Sequence, residues 1–258
     1  MLKDFETAWR LEGSQDKNEE ESQAGVQIEP PPANQGRVGI CEAADALVFI
    51  VADGADSLPG GDVAARRAVE IVRKAITGER PNDEAQIWAE RLGGIDRLLS
   101  RDKNAGETTA VIASIMATSR STQIVGASVG DSEVWLITAD GNGVDRLTQR
   151  QTRRPLLGSS ASLPVPFTSE WTEGTLLLAT NGLFKHADHA QICITAAGLD
   201  LEQAAQNLLD LARLPNGKLQ EDVGLLLCRR IRKDDDKGRK SGFLLQAVGK
   251  LINWGRRD

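Results

Sequence analysis

Tyrosine is missing from this sequence, and only two histidines and three cysteines occur among its 258 residues. A zinc site of the common kind needs several N or S ligands at close spacing, and this inventory excludes one. Cys41, Cys193 and Cys228 are single and far apart, so they read as reduced, buried thiols of a cytoplasmic protein, not as a disulfide framework. His186 and His189, in HADH, read as surface or partly buried residues that could share one helical face. No apolar run approaches the roughly 20 residues of a membrane span. The opening stretch MLKDFETAWRLEG carries charges where a secretion signal needs an apolar core. A formal charge of −6 argues against the basic face of a nucleic-acid binder. The glycine-rich GADSLPGGD lacks the Gly-Lys-Ser/Thr ending of a nucleotide loop, and no G-x-S-x-G elbow marks a serine nucleophile.

What is present is patterned as a globular α+β chain. Residues 12–36 are polar, acidic and proline-bearing, and read as loop. Short apolar or β-branched runs bounded by Gly, Asp and Asn predict strands at 46–53, 109–117, 122–130, 133–140, 174–180 and 222–230. TADGNG, after the fourth of them, is a hairpin signal. Helical spacing of apolar residues predicts helices over 62–77, with Asp62 as N-cap, and over 83–101 and 199–214. Hairpin-length links between the central strands favour a mostly antiparallel layered structure. The last stretch begins with a charge run. It then places Leu244, Leu245, Val248, Leu251 and Ile252 on one stripe of a basic amphipathic helix, 241–254. Such a helix can pack on its own domain, fit a protein partner or lie on an anionic membrane surface. The expected organisation is an N-terminal segment 1–32, a domain 33–232, and a linker with helix 233–258.

Acidic or amide residues fall beside glycine at several strand ends: Asp53-Gly54, Gly130-Asp131 and Asn181-Gly182, with Glu221-Asp222 opening the last strand. Carboxylates at neighbouring strand tips suit a hard cation such as Mg²⁺ or Mn²⁺. Any one of these pairs alone reads more readily as a turn. Their order along the chain is more specific. FIVADGADSLPGGDVAARRAV, GETTAVIASI, IVGASVGDSEVWLI, LTQ, LLLATNGLFKHAD and LQEDVGLLLC together resemble, in sequence order, the motifs of the protein phosphatase 2C family. The resemblance implies a four-layer α-β-β-α sandwich of two antiparallel sheets flanked by helices. It also implies two Mg²⁺ or Mn²⁺ ions that activate a hydroxide to hydrolyse phosphoserine or phosphothreonine in proteins. By this resemblance Asp53 corresponds to the bridging ligand, Gly54 to a carbonyl ligand and Asp222 to the closing ligand, with Asn181 at a further metal position.

The departures from the family pattern cluster at that site. Gly36 stands where the family has its first metal aspartate, and Asn181 where it has a second-metal aspartate. Val223 replaces the asparagine of the closing pair. The phosphate-gripping arginine falls in EPPP, and Asp56-Ser57 replaces a small Gly-Gly pair, with Asp56 a candidate replacement ligand. Two carboxylates thus face a site that normally has four. The expectation is a phosphatase-like domain with impaired or absent activity, acting as a regulatory binding partner of a phosphoprotein or protein kinase. The alternative is an active metal-dependent phosphatase opposing a kinase.

Overall fold

The structure is a computed structural model that describes residues 5–12, 35–43, 46–55, 59–76, 84–117 and 121–230. The expected C-terminal helix 241–254, Asp56 and most of the acidic stretch 12–36 lie outside them. The elements run β1 (Phe5–Glu12), β2 (Gly36–Ala43), β3 (Ala46–Gly54), α1 (Gly61–Ile76), α2 (Ala85–Leu99), β4 (Thr108–Ala117), β5 (Thr122–Val129), β6 (Glu133–Ile137) and β7 (Val144–Arg146). They continue with β8 (Val165–Glu170), β9 (Thr175–Ala179), α3 (Asn181–His186), α4 (His189–Ala196), α5 (Leu201–Leu211) and β10 (Val223–Arg230).

Two five-stranded antiparallel sheets result, ordered β1-β10-β9-β6-β7 and β2-β3-β4-β5-β8. Helices α1 and α2 cover the outer face of the β3 sheet through Val69, Val72, Trp88, Leu92 and Ile95, which pack on Val48, Ile50 and Ile112. Helices α4 and α5 cover the other sheet, where Ile192, Leu208 and Leu209 meet Trp135, Leu177 and Leu225. Between the sheets, Phe49, Val51, Val111, Leu176, Leu178 and Leu226 form the central core. The expected four-layer sandwich is therefore the architecture found.

This layering explains why the central strands are apolar runs and not alternating ones. Every residue of β9 is buried, as are the first seven of β3, because both faces of each sheet are covered. Edge strand β8 alternates between buried Phe167 and exposed neighbours, and β7 has only three residues. Neither carried a strong strand signal. β1 was also unforeseen: its charged residues sit on an edge, yet Phe5, Ala8 and Trp9 are buried and the strand pairs with β10 throughout. The expected hairpin is present, with Gly141 at φ +71° and mutual bonding of Thr138 and Gly143 joining β6 to β7.

Two local expectations are corrected. Asp62 is not the N-cap of α1: Gly60, at φ +86°, makes the entry turn and its carbonyl accepts from Ala64, so Asp62 falls inside the first turn. His186 and His189 do not share a helix, because Ala187 is extended and separates α3 from α4. His186 Nδ1 lies 3.0 Å from Gln220 Nε2, whereas His189 packs edge-on to Trp135 and bonds Arg146.

Candidate functional site

The antiparallel registers bring one set of strand ends together. Asp53 lies at the end of β3 opposite Gly36 of β2 and Thr109 of β4. Asp131 follows β5, Asn181 follows β9 and Asp222 precedes β10, all at this same end of the sandwich.

Short side chains hold Asp53 in place. Its N–H donates to Thr109 Oγ1 at 3.2 Å, and its carbonyl accepts from Thr108 Oγ1 at 2.9 Å. Thr109 Oγ1 is also 2.8 Å from Ser132 Oγ, which links β4 to the loop ahead of β6 in the other sheet. The Thr-Thr pair in GETTAV is therefore a clamp on Asp53. Gly54 is needed for close approach: a Cβ there would sit 2.3 Å from the Gly61 carbonyl carbon and 2.7 Å from Gln35 Oε1. The start of α1 thus packs directly against the Asp53-Gly54 turn.

Asp222 is fixed from two sides. Its Oδ2 accepts the Gln35 N–H at 2.7 Å, and its carbonyl accepts from Thr180 Oγ1 at 3.2 Å. Thr180 exchanges further bonds with Gly224, stitching the end of β9 to the start of β10. Gly182 fits here only without a side chain, because a Cβ would lie 2.3 Å from the Asp222 carbonyl oxygen. Beside it, Lys185 and His186 of α3 converge on Glu221.

Asn181 points its amide nitrogen at Asp131, with Nδ2 3.3 Å from Oδ2. A carboxylate accepts only, so the amide is placed to donate. Gly36 contributes backbone alone. Among the described residues, no group of three or more His, Cys, Asp or Glu is arranged to hold a metal ion.

One charged residue of the site escaped the sequence reading. Arg37 follows Gly36, and its Nη1 donates to the Gly36 carbonyl at 2.6 Å. Burial lowers the basicity of its guanidinium, a trend that Asp62 opposes first, then Asp222 and Asp53, while Arg66 adds to it. An arginine nevertheless stays protonated wherever the protein is folded. The available signal was the basic residue directly after the missing aspartate in NQGR, which a search for acidic ligands passes over.

The three thiols have no part here. Cys41 is half-buried and Cys193 and Cys228 are buried, all free. Burial raises each thiol above its ordinary value, Cys41 to about 11. No helix among the described residues is long and apolar enough to cross a membrane.

Comparison with known proteins agrees with this fold. The family model described as Protein phosphatase 2C matches residues 32–163, just over half of the chain. A serine/threonine phosphatase of S. agalactiae superposes with a TM-score of 0.68 at 16% identity, over 88% of this chain and 100% of that one. The catalytic domain of the serine threonine protein phosphatase PstP, solved with two manganese ions, gives 0.63 at 14% identity, over 88% and 99%. PppA of Pseudomonas aeruginosa, described as a key regulatory component of T6SS, gives 0.63 at 14% identity, over 88% and 98%. No match was found among curated protein sequences. At such identities the superpositions establish the fold, and the family model adds the lineage. With its sandwich, its motif order and its clamped Asp53 and Asp222 at one set of strand ends, the chain belongs to the protein phosphatase 2C family.

Proposed function

We propose that this chain is a phosphatase 2C domain whose metal-dependent hydrolysis of phosphoserine and phosphothreonine is impaired or lost. It acts instead as a regulatory binding partner in a cytoplasmic phospho-signalling system, holding a phosphoprotein or a protein kinase. The observation that carries this reading is the donor set at the strand ends. Two Mn²⁺ or Mg²⁺ ions want several carboxylate oxygens to offset their charge. Asp53 and Asp222 remain at the ligand-like positions, with the Gly54 carbonyl between them in role and Asp131 as a third carboxylate at the same strand ends. Gly36 offers no side chain, and the Asn181 amide is turned to Asp131. Asp222 already spends one oxygen on the Gln35 N–H. These residues do not fit a two-metal centre, so no hydrolytic step is assigned to them. By the amphipathic pattern of its sequence, segment 241–254 is the element that would fit a protein partner.

A second reading keeps the enzyme, an Mn²⁺- or Mg²⁺-dependent phosphatase opposing a kinase. Its support is the clamping of Asp53 and the position of Asp222 at the same end of the strands, together with a relative solved with two manganese ions. One experiment separates the two: calorimetric titration of the metal-free protein with Mn²⁺, paired with turnover of phosphoserine and phosphothreonine peptides. The expected result is no saturable binding up to millimolar metal and no turnover. Gly36→Asp combined with Asn181→Asp is expected to introduce binding. Two sites at micromolar affinity in the unaltered protein would establish the second reading.

A further inference from the structure

One stretch of the chain carries charge of a single sign. Between Asp145 and Glu170 there is no carboxylate, although the net charge of the chain is −6, and four arginines fall within the nine residues from Arg146 to Arg154. Arg146 is engaged by the fold: its guanidinium lies 4.5 Å from the Trp135 ring centroid, and Nη2 is 2.8 Å from His189 Nδ1. Arg150, Arg153 and Arg154 are exposed. Among the described residues no ion pair joins Arg150 or Arg153 to an acid, and Arg154 reaches Glu107 only at 3.7 Å.

This segment is bonded to the body at both ends. The Leu147 N–H donates to the Val134 carbonyl at 2.9 Å, and Thr148 Oγ1 accepts from the Val134 N–H at 3.1 Å. Gln151 Nε2 donates to the Ser132 carbonyl at 3.0 Å. At the far end Leu157 and Thr108 exchange backbone bonds at 3.0 and 3.1 Å. Ser132 follows Asp131, and Thr108 precedes the Thr109 that holds Asp53. The arginines therefore sit on an arch tied to β6 of one sheet and β4 of the other, beside the acid-bearing strand ends.

The two signs of charge act oppositely on a phosphate monoester. Asp53, Asp131 and Asp222 repel its dianion when no metal offsets them. Guanidinium groups attract it, and each can donate two parallel N–H bonds to its oxygens. A phosphate on the arch is thus held next to the strand ends and kept off them. We propose that the 150–154 arch is a phosphate anchor, through which Arg150, Arg153 and Arg154 bind a phosphoserine-bearing segment of a partner protein without metal and without hydrolysis. The inference rests on the reading of this domain as a binding partner that has lost hydrolysis, and it adds where the phosphorylated partner is held. So short a cationic run suits one monoester, whereas nucleic-acid binders commonly contact about 6–10 phosphates.

The test is fluorescence anisotropy of the full chain, in EDTA, with a labelled peptide carrying one phosphoserine among neutral residues and with its unphosphorylated twin. Turnover of the phosphopeptide is measured in Mn²⁺ alongside. The parent should bind the phosphorylated peptide about tenfold or more tightly than the twin, and salt should weaken that binding. Arg150→Gln with Arg153→Gln should remove most of the preference, and adding Arg154→Gln the rest. The variant with Arg150→Lys, Arg153→Lys and Arg154→Lys keeps the charge but loses the fork, so it should retain only part. Lys74→Gln, an exposed cation near the far end of α1, should change nothing. Equal affinity for the two peptides, or an unchanged preference in the triple glutamine variant, overturns the proposal. The loss of hydrolysis still stands in that case, provided the parent turns over no peptide. Mn²⁺-dependent turnover by the parent would overturn both. A single-stranded RNA that displaces the labelled phosphopeptide at lower concentration than unlabelled phosphopeptide does would also overturn the proposal, by assigning the arch to nucleic acid. Should the triple glutamine variant fail to fold, the Arg150→Gln, Arg153→Gln pair decides by the same criterion.

Discussion

The backbone N–H of Gln35 meets Asp222 Oδ2 at 2.7 Å, pinning the residue before β2 to the residue before β10. These strands belong to different sheets, so one charge-assisted bond ties the two halves of the sandwich at the end where the family carries its chemistry. Asp222→Ala removes the acceptor and leaves a partly buried N–H to find water. The expected cost is about 1–3 kcal/mol, read as a lower urea midpoint with an unchanged slope. Asp222→Asn keeps an acceptor oxygen and should lose less. Equal losses in the two variants would show that the bond to Gln35 is not what matters.

Asp96 plays a structural part that its charge alone does not suggest. It is only 4% exposed on α2, and its carboxylate accepts the N–H groups of Gly158, Ser160 and Ser162 at 2.7, 3.1 and 3.1 Å. It therefore organises the loop leading to β8, including Ser160 at φ +62°. Asp96→Ala should cost at least about 2 kcal/mol, because several donors lose their partner at once. Hydrogen exchange should quicken first at Gly158, Ser160 and Ser162, and protection unchanged there would refute the assignment.

Cys41 should be a poor nucleophile. Burial raises its thiol from 9.0 to about 11, with Arg73 opposing. A rise of this size leaves roughly 100-fold less thiolate at neutral pH. Alkylation of Cys41 in the folded protein should be slower than that of a free thiol by about this factor, and should accelerate on denaturation. Reaction at the free-thiol rate under native conditions would contradict the burial argument.

Asp140 sets a pH window at the β6–β7 turn. The Thr138 hydroxyl first, then the Asn142 backbone and side-chain N–H groups, lower its carboxyl from 3.8 to about 2. A depressed folded-state value means the stabilisation is complete above the unfolded value and is lost as pH falls through about 2. Carboxyl titration followed by NMR should show this low value, and Thr138→Val should bring it back up. No change in Thr138→Val would remove the hydroxyl as the leading cause.

Much of this molecule was settled in the chain itself. Runs such as ALVFIVAD and GTLLLAT read as strands, and the apolar spacing through Trp88, Leu92, Ile95 and Leu99 as a helix, and both are found. The departures at Gly36 and Asn181 were equally visible, since they are matters of residue identity. What the chain could not specify is partnership. Edge strands β1, β2 and β8 bury too little of their length for local pattern to mark them, and they exist because a neighbour's backbone pairs with them. Nor could it foretell that the Asn181 amide would turn to Asp131, or that the Gln35 N–H would bind Asp222 across the two sheets. Charges distant in sequence find each other only once the sheets have closed, because their energy depends on separations that local pattern does not encode.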